Sequence, residues 1–214
     1  MKYFFLGLIT AAVAYSFGCL DTMIVSSNLV FRKNLRRLGK GSVWLSNFRR
    51  VYGVKGFALL TLVELLKDLV PLFIGGLLFK SGGNAAVGRA LAMFCLVLGR
   101  SYPAIYGFRG SYASAALVLG AFMISFSLGA AVLVVFLAVT LLTRYFSVGT
   151  LAAAVILAAV GVLVVDDGTV LKLCVFTAVL VLVRAIPSFV RIAAKSEEKL
   201  SFKEDISYKF DKNF

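Results

Sequence analysis

Between Arg109 and Arg144 the chain runs for 34 residues without one formal charge. As one straight helix that run would be about 50 Å long, well beyond a hydrocarbon core of about 30 Å. It therefore predicts two short spans, hinged near ISFSLG at 124–129. Charges elsewhere mark further spans at 3–28, 56–79, 85–99, 146–165 and 169–186. They are joined by a basic loop at 32–55, a KSGGN turn, a glycine-arginine loop from residue 100, and a DDG turn at 166–168. With 61% of residues hydrophobic and a mean hydropathy of +0.96, too little polar material remains to face water on all sides. The expectation is an all-α integral membrane protein with seven transmembrane helices over 1–192. A charged tail at 193–214 follows, read as a surface helix from Val190 and then disorder.

Seven spans put the termini on opposite sides. Of the 23 lysines and arginines, 18 fall on one side, counting Arg184 near the end of its span. Basic residues accumulate on the cytoplasmic side, so the N-terminus is expected outside and the C-terminus in the cytoplasm. The net charge of +13 is thus a topological signal, and no soluble basic module is present to suggest nucleic acid. The chain has no histidine, which removes the commonest general base and zinc ligand. Cys19, Cys95 and Cys174 each stand alone in an apolar stretch, as small packing residues do. Neither a metal nor another cofactor is expected. SFGC before Cys19 has Ser16 where lipoprotein cleavage sites usually carry leucine, so the first span reads as uncleaved. No internal repeat points to a transporter of inverted halves.

Four segments carry chemistry. In LGKGSVWLSNFRRVYGVKG (38–56), backbone amides near Gly39 and Gly41, with Lys40 and Arg50 beside them, suit a phosphate; a basic loop that meets anionic head groups has the same composition. In GRSYPAIYGFRGSYAS (99–114), Pro103 stops a helix, Gly107 and Gly110 permit tight backbone, and Arg100 and Arg109 add fixed charge. In TRYFSVGT (143–150), Arg144 and Ser147 are spaced to share a helix face. Lys67 lies inside a span, where an ionisable group marks function or pairing. Glu64, three residues earlier, and the adjacent Asp68 offer a self-neutralised cluster.

In this order the segments resemble the bacterial acyl-phosphate:glycerol-3-phosphate acyltransferase family (the PlsY family), over nearly the whole chain. Its first motif, G-S-G-N-x-G-A-T-N-x-x-R, is matched by GKGSVWLSNFRR at Gly39, Gly41, Asn47 and Arg50, with Ser46 for threonine. Its second, G-H-x-F-P-x-F-x-x-F-K-G-G-K-G, appears as GRSYPAIYGFRGSYA. Gly99, Pro103, Phe108 and Gly110 match, Arg109 replaces the first lysine and Arg100 the histidine, while Ser111, Tyr112 and Ala113 replace glycine, lysine and glycine. R-Y-x-S survives as Arg144, Tyr145 and Ser147, and D-x-x-K-G as ELLKD with Lys67. The C-terminal motif keeps Arg184, Arg191 and Glu197, with Ala185 for histidine and Ser188 for asparagine.

The resemblance implies a multi-pass protein of the bacterial inner membrane that moves a fatty acyl group from acyl-phosphate to glycerol 3-phosphate at the cytoplasmic face. Asn47, Arg50 and Ser147 would be catalytic. Lys40, Gly41, Ser46, Lys67, Arg100, Arg109, Gly110, Arg144 and Glu197 would bind substrate or phosphate. Substrates and membrane lipid are the implied partners. The lost glycines and lysine leave a second reading open, in which the fold and its anion binding persist without transfer.

Overall fold

The computed structural model describes residues 2–22, 45–108 and 110–197, with backbone alone for 45–54 and Phe57. Among the described residues there are seven α-helices: α1 Lys2–Cys19, α2 Leu45–Lys80, α3 Ala85–Ser101, α4 Ser114–Ile124, α5 Phe126–Thr143, α6 Phe146–Val164 and α7 Gly168–Ala193. A single 3-10 turn, Ala104–Tyr106, lies between α3 and α4. The all-α, seven-helix expectation holds, and α1, α3, α5, α6 and α7 are long and apolar enough to cross a membrane. α2 carries Glu64, Lys67 and Asp68 within its span. α4 has 11 residues, about 16 Å of helix.

Three boundaries differ from the sequence reading. α1 ends at Cys19 rather than reaching residue 28. α2 begins at Leu45, inside the stretch read as a basic loop, because helical turns rich in arginine look locally like loop. α7 continues past residue 186, through Pro187, to Ala193. Residues 198–214, expected as a disordered tail, lie outside the described residues.

α3 is the axle of the bundle and packs against α1, α2, α4 and α7. Its Ala90, Ala92, Met93, Leu96 and Val97 are fully buried. Glycines set how closely its neighbours approach. A methyl on Gly99 would overlap the Tyr15 carbonyl oxygen of α1, and one on Gly88 the Gly75 carbonyl oxygen of α2. In lipid, where apolar side chains gain little by meeting one another, such close backbone packing is what holds helices together. The outer faces carry Phe4, Phe5, Leu142 and Leu163, all more than half exposed to the lipid side.

The chain alternates direction, so C-termini of α1, α3, α5 and α7 gather at one end with the N-termini of α2, α4 and α6. At the other end Asp167 caps α7, accepting from the Thr169 and Val170 backbone N–H at 2.7 and 3.3 Å and from Asn84 Nδ2 at 2.9 Å. That contact ties the start of α7 to the start of α3.

Candidate functional site

α3 has 17 residues and α4 has 11, and the loop that joins them covers residues 102–113. Pro103 and Ala113 of this loop are buried, while Ile105 and Phe108 are more than half exposed, and several of its backbone groups are tied down by protein. Tyr15 Oη donates to the Tyr102 carbonyl at 3.0 Å and accepts from the Ala104 N–H at 3.3 Å. The Ser111 N–H donates to the Arg100 carbonyl at 3.1 Å, and Arg184 Nη2 to the Gly110 carbonyl at 2.7 Å. Gly107 and Phe108 take φ of 63° and 61° in succession, the second unfavourable for a residue with a Cβ. At Gly110 a Cβ would lie 2.6 Å from both Pro103 and the Ser101 carbonyl oxygen, so nothing larger fits.

Below this loop is a buried charge cluster. Lys67 Nζ donates to the Leu20 carbonyl at 2.9 Å, just past the end of α1, and pairs with Glu64 at 3.2 Å and Asp68 at 3.4 Å. Arg100, 6% exposed, forms an ion pair with Glu64. The cations thus answer the carboxylates across α2 and α3, and breaking one such buried pair alone is strongly destabilising.

The second polar group joins the loop to the end of α7. The Tyr112 hydroxyl is 2.5 Å from Ser188 Oγ, donates to Glu197 Oε1 at 2.8 Å, and accepts from Arg191 Nη2 at 3.3 Å. Arg191 also donates to Ser188 Oγ at 2.9 Å and through Nε to Glu197 Oε2 at 2.6 Å. Lys195, at φ 54°, turns the chain back beyond α7, and Ser196 and Glu197 N–H both reach the Arg191 carbonyl. The Tyr112 ring lies under the Arg184 guanidinium at 5.8 Å and against Phe146 at 6.4 Å. Burial raises the phenol's pKa above its ordinary value, and the Glu197 carboxylate adds to the rise against the pull of Ser188. Tyr112 therefore stays protonated at neutral pH.

Ser147 sits in the first turn of α6, 3% exposed. Its hydroxyl faces the Tyr112 phenol and, as a hydrogen-bonding group, works against the rise in that pKa, although no atom among the described residues lies at full hydrogen-bond geometry from its Oγ. With Val148, Ala185, Ser188, Phe189 and Ile192 it lines a narrow crevice between α6 and α7. A buried hydroxyl at a helix N-terminus, beside an arginine-carboxylate network, suits an oxygen-rich anion.

The structure distributes the residues named from sequence as follows. Lys67 and Arg100 belong to the charge cluster with Glu64 and Asp68. Gly110, Ser147 and Glu197 lie around Tyr112. Arg144 is exposed, with φ 61°, closing the end of α5 two residues before α6. Ser46, Asn47 and Arg50 fall in the first turns of α2, with their side chains outside the description; Lys40, Gly41 and Arg109 lie outside the described residues. Among the described residues no group of three or more Asp, Glu, Cys or His is placed to hold a metal. Reasoning from sequence missed Tyr112 and Ser188. The signal was there, since both depart from the family pattern, and the two departures touch each other.

Three comparisons bear on this arrangement. A family model described as glycerol-3-phosphate acyltransferase matches residues 8–195. A glycerol-3-phosphate acyltransferase of Francisella tularensis subsp. tularensis (strain FSC 198) is 28% identical over 199 residues, covering 93% of this chain and 95% of the relative. One from Thermoanaerobacter pseudethanolicus is 26% identical, over 93% of this chain and 98% of its own length. In fold, the chain is similar to a crystal structure of PlsY, an integral membrane glycerol 3-phosphate acyltransferase in its glycerol 3-phosphate form. The TM-score is 0.75 at 24% identity, over 91% of this chain and 96% of that one.

Proposed function

The chain belongs to the glycerol-3-phosphate acyltransferase family, and from that premise we propose that it acylates the 1-hydroxyl of glycerol 3-phosphate, with acyl-phosphate as donor, at the cytoplasmic face of a bacterial inner membrane. The acceptor is supported by what the relatives are called and by the glycerol 3-phosphate form of the similar structure. One observation carries the site: the buried Ser147 Oγ, at full hydrogen-bond geometry to no atom among the described residues, faces the Tyr112–Arg191–Glu197 network at the end of the bundle where the loop from residue 102 and α7 meet.

In the reaction the acceptor oxygen forms a bond to the acyl carbon, and the bond from that carbon to the phosphate oxygen breaks. The hydroxyl proton leaves with the released phosphate, giving lysophosphatidate. Phosphate is a good leaving group, so holding the reactants and stabilising charge can supply much of the acceleration. Ser147 donates to a phosphate oxygen, and Arg144 and Arg184 supply positive charge at that end. Asn47 orients the acceptor hydroxyl, with Arg50 beside it. Lys40, Gly41, Ser46, Arg109 and Gly110 complete the phosphate contacts, while Lys67 and Arg100 hold the floor through Glu64 and Asp68.

The test is purified protein in a bilayer mimetic with glycerol 3-phosphate and, in parallel, acyl-phosphate or acyl-coenzyme A. Equal yields of phosphate and lysophosphatidate from acyl-phosphate, lost in Arg50→Ala, are expected. Product from acyl-coenzyme A alone overturns the donor. A second reading, binding without transfer, is favoured by the side chains of Ser111, Tyr112 and Ala113 where the family pattern has glycine, lysine and glycine. Retained glycerol 3-phosphate affinity with no product from either donor would establish it.

A further inference from the structure

Arg100 lies in the last turn of α3, where the loop to α4 begins, and the loop comes back to it. The Ser111 N–H donates to the Arg100 carbonyl at 3.1 Å, and a methyl on Gly110 would overlap that same oxygen. The backbone of Arg100 is thus both the root of the loop and its closing point. Its guanidinium is buried against α2, ion-paired with Glu64. Asp68, one turn further along α2, is 2% exposed and acts on Arg100 through space by charge, as Asp21 does from just past α1. Carboxylates that enclose the side chain hold it in place, and with it the residue on which the loop closes.

The side chains in ion-pair contact here balance, Glu64 and Asp68 against Lys67 and Arg100. Lys67 has no capacity to spare: its ammonium has three N–H groups and meets the Leu20 carbonyl, Glu64 and Asp68. Removing the charge of Arg100 therefore leaves a surplus carboxylate in the interior, where an unmatched charge costs far more than a matched pair returns. The family pattern has glycine at the position of Asp68 and histidine at that of Arg100. This chain carries one more acid and one more base than that pattern, and both fall in this cluster. Resting on the acceptor reading above, we propose that Arg100 and Asp68 are a coupled pair of positioning residues for acyl transfer. Arg100 holds the closing point of the loop that carries Gly110, Asp68 supplies charge that keeps Arg100 in place, and neither touches a substrate phosphate.

The experiment measures melting temperature and, per folded protein in a bilayer mimetic, kcat and KM for glycerol 3-phosphate with acyl-phosphate as donor. It compares wild type, Arg100→Gln, Asp68→Asn and the double variant. Asp167→Ala, which removes the cap of α7 at the opposite end of the bundle, is the control for lost stability alone. Each single variant of the pair is expected to lose about a hundredfold in kcat, the scale of a misplacement of about 1 Å. The double variant, balanced again, should exceed both singles by about tenfold, a coupling of the size that groups in one charge network show. A double variant no better than its singles overturns the proposal. So do single variants that behave like Asp167→Ala, melting lower with wild-type kcat, because the pair is then only structural. A raised KM shared by Arg100→Gln and the double variant marks a phosphate ligand and overturns it as well. Should Arg100→Gln not fold, the double variant against Asp68→Asn decides by the same gain. These outcomes leave the acceptor reading intact. Failure of wild type to bind or acylate glycerol 3-phosphate overturns that reading, and this proposal with it.

Discussion

Ser147 is a buried hydroxyl at full hydrogen-bond geometry to no atom among the described residues, a state that costs about 1–3 kcal/mol. A fold does not gain stability from such a group, so Ser147→Ala should leave the melting temperature unchanged or slightly higher. Acyl transfer should fall by about a hundredfold, the scale of losing one preorganised donor. A lower melting temperature with transfer intact would return Ser147 to a packing role. At the other end, Asp167 shows a different logic. The Asn84 amide, and then the Thr169 and Val170 N–H groups, hold its carboxyl below the usual carboxylate range. A group whose pKa is depressed by folding contributes stability above its unfolded value, near 3.9, and loses it as pH falls through the folded one. Thermal unfolding followed from pH 6 downward should therefore show a loss beginning below about pH 4, and Asp167→Asn should flatten it.

The two glycine crossings of α3 carry a prediction of their own. Gly99→Ala forces a methyl against the Tyr15 carbonyl of α1, and overpacking of this kind typically costs about 1–3 kcal/mol. Thermal unfolding of Gly99→Ala in detergent should show that loss, whereas Gly107→Ala, with nothing within 4 Å of an added Cβ but a φ of 63°, should lose less and through backbone strain alone. Element ends set by turns were legible in sequence: the KSGGN turn, the break near Ser125 and the DDG turn all fall where charge and glycine put them. The start of α2 and the last turns of α7 were not, because arginine-rich helical turns and Pro187 look locally like loop. For the site, the pairing of Lys67 with Glu64 was readable from their spacing on one helix. The Arg100–Glu64 pair and the Tyr112–Ser188 contact were not, since each joins elements far apart in sequence. At Tyr112 the sequence shows only a lost lysine, because what the phenol touches lies on α7, some 76 residues away.

At the scale of the whole molecule, Arg100, Arg144, Arg184, Arg191 and Lys195 lie, among the described residues, at the end of the bundle that holds Ser147. The orientation we propose, with that end in the cytoplasm, predicts that a cysteine at Ser81 in the turn between α2 and α3 is labelled by a membrane-impermeant reagent from outside intact cells. One at Lys195 should react only after the cells are opened, and the reverse pattern would invert the topology. The native thiols bear on how easily this is done. Cys19, Cys95 and Cys174 are free and are 3%, 7% and 0% exposed, shut between helices that must part before a reagent reaches them. A cysteine placed on the surface can thus be read against a silent background, with no need to strip the chain first. The same three thiols make the protein its own unfolding gauge: warmed in detergent with a thiol-reactive dye, it should stay dark until the bundle opens and then brighten in one step.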